Sequence, residues 1–121
     1  MEQKLTTFHT QEGIDLTLVP DPRGLVFTYM GEIEKGIVDA FNTGMKWSSL
    51  RSMVKNLLYG KRYINNDNSL HVWKKAGEMH ILFKGVEMKV EKEVVLPVTE
   101  TGRFENYLDI LLTPASSQGI H

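Results

Sequence analysis

The residues best placed to do chemistry in this 121-residue chain are Trp73, His71 and His80. If Ala76-Gly77 is a two-residue hairpin loop, Lys75 stands opposite Glu78 and Trp73 opposite His80, with His71 diagonal to His80. Diagonal neighbours on facing strands lie roughly 7–8 Å apart at the backbone, close enough to bridge one ligand but loose for a single metal ion. No third ligand is apparent, so no metal and no cofactor is expected. A tryptophan beside histidine on a face that also carries Lys75 and Lys89 suits two tasks. It would stack on a planar ligand or anchor a subunit contact, since tryptophan is enriched at interface hot spots.

A second group is cationic. Lys55, Lys61 and Arg62 cluster with Tyr63 at the end of an apolar-periodic stretch. Cations there complement a helix C-terminus without any ligand. The functional alternative is a phosphate or nucleic-acid contact with Tyr63 stacking on a base. Spacings of Ala40, Gly44, Met45, Leu50 and Met53 resemble the helix-turn-helix motif over Gly36 to Leu57, which would place Arg51 and Lys55 on a recognition helix.

For catalysis there is no nucleophile elbow, phosphate loop or HExxH pattern. Glu32 and Glu34 read as complements to a helix start, and Asp21 and Arg23 as parts of a proline turn. The chain is therefore expected not to be an enzyme, the alternative being a small enzyme with a site assembled from distant residues.

These residues need elements to position them. Residues Gly31 to Ile64 carry the one long helical pattern, with Ile33, Ile37, Ala40 and Phe41 in one stripe and Trp47, Leu50, Met53, Val54, Leu57 and Leu58 in a second. Asn42-Thr43-Gly44 reads as a helix end with Gly44 at positive φ. Ser48 or Ser49 would then cap a second helix ending before Gly60. This predicts a helical pair, or one bent helix, over Glu32 to Tyr59.

Strands are expected on either side. Lys4 to Thr10 and Ile14 to Leu18 alternate across Gln11-Glu12-Gly13; Pro20 to Gly24 is dense turn chemistry, and Leu25 to Met30 follows as a third strand. Asn65 to Ser69 is a polar loop. If Lys84-Gly85 is also a two-residue loop, Phe83 faces Val86 and Ile81 faces Met88. One face then carries Leu70, Val72, Met79, Ile81, Phe83, Val86, Met88 and Val90. Val94 to Val98 is an edge or interrupted strand because Pro97 cannot donate to a ladder. Residues 104–112 fit either a helix or a strand, and the strand over Tyr107 to Leu112 is preferred.

The predicted fold is α+β: an antiparallel sheet with the helical pair packed on its apolar face, forming one domain over 1–114 with a mobile tail over 115–121. A net charge of -1 argues against a dedicated polyanion binder. No cysteine is present, which excludes thiolate zinc, thiol catalysis and disulfides and leaves the cytosol as the expected compartment. The N-terminus lacks an apolar signal region and no apolar run is long enough to span a membrane. The functional expectation is a non-enzymatic cytosolic binding or regulatory protein. It would self-associate and occupy a protein partner or a small phosphorylated, nucleotide-like ligand, with nucleic acid the lesser alternative and no membrane partner.

Overall fold

The computed structural model describes residues 5–34, 37–84 and 91–113, with 31–34 and 37–40 described by backbone alone. The element order is four strands and a helix, taken twice: β1 (Thr6–His9), β2 (Asp15–Asp21), β3 (Gly24–Glu34), β4 (Ile37–Lys46), α1 (Trp47–Leu58), β5 (Tyr63–Ile64), β6 (Leu70–Lys75), β7 (Glu78–Lys84), β8 (Glu91–Leu96) and α2 (Val98–Leu112). The fold is α+β as expected, but its strands form two antiparallel meanders, β1-β2-β3-β4 and β5-β6-β7-β8.

In the first sheet alternation sends Phe8, Leu16, Leu18, Leu25, Phe27, Tyr29, Phe41 and Met45 inward. The turn between β2 and β3 is held by its own aspartate, whose Oδ1 accepts from the Arg23 N–H at 2.7 Å and the Gly24 N–H at 3.2 Å. Asp21 is thereby committed to its turn. The second sheet sends Tyr63, Leu70, Val72, Met79, Ile81, Phe83, Val94 and Leu96 inward. These two sets, with Leu50, Met53 and Leu57 of α1 and Phe104 and Leu108 of α2, make one continuous buried cluster.

Aromatic rings join the layers. Phe104 packs edge-on against Phe8 at 5.5 Å, seating α2 on the first sheet. Phe83 of the second sheet lies 6.2 Å from Tyr29 and 5.6 Å from Phe41, so the sheets meet directly there. Polar clasps close the seam. The Gln11 N–H donates to the Val95 carbonyl at 2.9 Å, and Glu12 accepts from both the Tyr29 hydroxyl and Lys92 Nζ. Burial first, and then the hydrogen bond to and negative charge of Glu12, raise the Tyr29 hydroxyl far above its ordinary pKa. Close to the Gln11 clasp, Glu100 in the first turn of α2 accepts from the His9 N–H at 2.6 Å and pairs with Arg103, whose guanidinium also donates to the Thr7 carbonyl. Burial of Glu100 disfavours its charge, but those donors outweigh it and hold the carboxyl below its usual pKa.

Several expectations are corrected. The described residues of the stretch from Gly31 to Gly44, 31–34 and 37–44, are extended chain, not helix: Tyr29 pairs with Phe41, Leu25 with Met45 and Gly24 with Lys46. The helical spacing of Ile33, Ile37, Ala40 and Phe41 is coincidental, while Phe41 and Met45 are buried and Asn42 and Gly44 exposed with the period of a strand. Gly44 is consequently a β4 residue without positive φ. Neither Ser48 nor Ser49 caps α1. The N-cap is Lys46 without a side-chain bond, and Trp47 fastens the helix start by donating from its backbone N to Arg23 O and from Nε1 to Pro22 O. The predicted stop before Gly60 is correct. Gly60 at φ 71 donates to Leu57 O and Lys61 to Asn56 O, the paired bonds of a Schellman end.

The first of the two expected hairpins after the helix is borne out, with Lys75 opposite Glu78 and Trp73 opposite His80. The second is not: Phe83 pairs with Lys92 and Ile81 with Val94, so the connection is longer than Lys84-Gly85. Val86, Met88, Lys89 and Val90 lie outside the described residues. β8 is an edge strand ending at Leu96, and Pro97 is the N-cap of α2. Residues 107–112 are accordingly helical, with Phe104 and Leu108 buried at i, i+4. Residues 115–121 also lie outside the described residues.

Candidate functional site

On the outer face of the second sheet, three side chains form a stack. Trp73 and His80 sit opposite each other on β6 and β7 with ring centroids 5.2 Å apart and planes inclined by 13°. The Arg62 guanidinium covers the other side of the indole, 3.9 Å from its centroid. His80 Nδ1 meets Glu93 Oε2 at 2.9 Å. The pairing of Tyr63 with Val72 turns Tyr63 inward and so brings Arg62 to the outer face. Trp73 is therefore half-buried on the outer face and is not part of the main core. With Arg62 on one face of the indole and His80 on the other, a planar ligand would have to displace one of them to stack.

His71 lies on the same face, yet it is buried. Its Nε2 lies 2.5 Å from Asn68 Oδ1, and its Nδ1 has no hydrogen-bond partner among the described residues. Burial lowers its pKa first, and the nearby positive charges of Lys84 and Arg62 lower it further, against a smaller opposing effect of Glu91. His71 is thus held in its neutral form. Among the described residues no group of three His, Asp or Glu is arranged to hold a metal ion. Lys75 is exposed at the hairpin end of this face, and Lys89 lies outside the described residues.

The cationic group is divided by the fold. Arg51 and Lys55 are exposed on α1, Lys61 is exposed just beyond it, and Arg62 is drawn onto Trp73. Tyr63 is 6% exposed and inward-facing, so the expectation that it stacks on a ligand is corrected. The helix-turn-helix reading is likewise corrected, because Ala40 and Gly44 belong to β4 and, among the described residues of that segment, no helix precedes α1.

A second surface was not singled out by the sequence. α1 and α2 lie side by side, and between them runs an open groove of about 370 Å³ lined by Val54, Leu57, Leu58, Glu105, Asn106, Leu108 and Asp109. Leu57 points into the core, which forces its neighbour Leu58 outward, and Leu58 is 80% exposed. Tyr59 beside it is 67% exposed. The α2 rim is acidic, with Glu105 held by Lys74 at 3.0 Å and Asp109 exposed. The α1 rim is basic: Arg51 and Lys55 precede Leu58 by seven and three residues, spacings that put all three on one flank. The signal available in sequence was the Leu57-Leu58 pair itself, since adjacent residues of one helix point about 100° apart and do not both face a core squarely.

Comparison of the chain with protein-family models, with characterised proteins and with solved structures finds no match. Among the described residues no helix is long and apolar enough to cross a membrane.

Proposed function

We propose that this is a non-enzymatic binding protein that works by contact with another protein chain, and that the groove between α1 and α2 is its working surface. The observation that carries this reading is Leu58, a large aliphatic side chain 80% exposed over a groove whose floor is valine and leucine and whose rims are charged. An apolar centre with a polar rim is the anatomy of a protein interface. An amphipathic helix supplies the matching stripe. A phosphorylated ligand fits this groove poorly, because Glu105 and Asp109 would repel it. At the other candidate surface the two faces of Trp73 are occupied by Arg62 and His80, which supports the small-ligand alternative less well. A cytosolic setting is consistent with a chain free of cysteine.

A photo-activated crosslinking residue placed at position 58, and in a separate protein at position 52 on the opposite flank of α1, tests the proposal. Position 58 is expected to give protein adducts that are lost on Asp109→Lys, while position 52 gives none. Equal yields from the two positions, or none from 58, would sink the reading.

A further inference from the structure

We infer that the chain that fills the α1–α2 groove is a second copy of this protein, related by a two-fold axis running along the groove. The inference rests on the reading of that groove as a protein-docking surface. Its basis is how charge and apolar area are distributed across the two helices. Glu105 and Asp109 line the groove on α2, Val54, Leu57, Leu58 and Leu108 form its apolar floor, and Lys55 and Arg51 stand about one and two turns before Leu58 on the same flank of α1.

A two-fold rotation about the groove axis exchanges left with right but leaves position along the groove unchanged. It therefore sets α1 of one copy over α2 of the other. Residues 54–58 of α1 already stand level with 105–109 of α2 within one chain, since they line the same groove. After the rotation they stand level with those of the other chain. Arg51 and Lys55 then face the partner subunit's Glu105 and the partner subunit's Asp109, reciprocally on both sides, and each Leu58 enters the apolar floor of the other copy. A two-fold axis crossing the groove would instead set basic rim on basic rim. An unrelated partner would need a matching charge pattern of its own, whereas a second copy carries it by construction.

The experiment is solution mass by sedimentation across concentration, with charge-swap variants. Wild type is expected to pass from the 13.8 kDa monomer to twice that mass as concentration rises. Lys55→Glu and Asp109→Lys are each expected to weaken the association about tenfold, because each substitution makes two symmetry-related contacts repulsive. The double variant is expected to recover to within a few-fold of wild type. Circular dichroism confirms that each variant retains the fold, which is the expected result because both sites are exposed. A wild-type mass that stays monomeric to millimolar concentration overturns the inference, as does a double variant no better than the singles.

Crosslinking at position 58 separates this failure from failure of the underlying reading. An adduct of twice the chain mass supports the two-fold pairing. An adduct with a different protein, lost on Asp109→Lys, keeps the docking surface but overturns the second copy as its occupant. A crosslink into residues 114–121 of the same chain, or no crosslink at all, overturns both.

Discussion

The His71 imidazole is buried beside Lys84 and Arg62, so protonating it adds a further positive charge where water is largely excluded. Its pKa is lower in the folded than in the unfolded chain, whose value is near 6.5. Above about pH 6.5 both states are neutral and the full stability is present. As pH falls below that value the unfolded chain takes up a proton that the folded chain resists, and stability declines until the folded pKa is passed. The urea midpoint of wild type is therefore expected to drop between pH 7.5 and 5.5 by more than that of His71→Gln. Parallel profiles for the two proteins would show that His71 is not desolvated. Glu12, Asp67 and Glu100, held below their usual pKa by hydrogen bonds and by Lys92 and Arg103, act in a separate window. Their contribution is intact above about pH 4.5 and is lost only as pH falls further, so it does not confuse the test.

Two glycines of the β3–β4 hairpin separate its geometry from the helical alternative. Gly24 stands opposite Lys46 at the end of the ladder, and a Cβ there would lie 1.8 Å from the Met45 carbonyl oxygen. Backbone cannot yield as a flexible side chain can. Gly24→Ala is expected to destabilise by about 1–3 kcal/mol or more by urea denaturation. Gly44, in the same hairpin, has open space around its Cα and no positive φ. Gly44→Ala is expected to stabilise by roughly 0.5 kcal/mol, because alanine loses less backbone freedom on entering a strand. Destabilisation by Gly44→Ala would contradict the extended conformation of β4. The same element explains how α1 begins without a capping side chain. Trp47 borrows two carbonyls from the β2–β3 turn, so the helix start depends on the first sheet being formed.

Across the whole molecule the two sheets share one core, and Phe83 is the residue that touches both Tyr29 and Phe41 across the seam. Phe83→Ala is expected to cost about 3–5 kcal/mol, the range for removing a buried aromatic. The two tryptophans offer a check on cooperativity, since Trp47 reports on the start of α1 beside the first sheet and Trp73 on the second. Single-tryptophan proteins made by Trp47→Phe and Trp73→Phe should give denaturation curves that coincide with circular dichroism. A lag between the two fluorescence transitions would mean that the halves unfold separately. At this scale Leu58 stands apart. Because it is exposed, Leu58→Asp should leave the unfolding free energy from urea denaturation within about 0.5 kcal/mol of wild type while removing the expected self-association. Equal loss of fold and association would place Leu58 in the core instead.

Local chemistry by itself determined the elements whose signals are short-range. The β1–β2 hairpin, the Asp21–Gly24 turn, the stop at Gly60 and the Trp73–His80 register were legible because alternation and turn residues act within a few positions of one another. The Trp73 stack was half-legible: His80 followed from the hairpin, whereas Arg62 joined it only through the pairing of β5 with β6. Tertiary structure decided the rest. Residues 31–44 carry a helical spacing, but the β3–β4 ladder pairs 31, 32, 34 and 37–44 in extended form, and helix propensity is too weak to outweigh such pairing. Residues 104–112 fit two periods, and the helix was selected by Phe104 and Leu108 entering a core already walled by Phe8 and Phe27. The β7–β8 register was set at a distance by Val94 and Leu96 reaching that core and Lys92 reaching Glu12. The groove was not legible in either helix alone, because a groove exists only where two surfaces far apart in the chain come together.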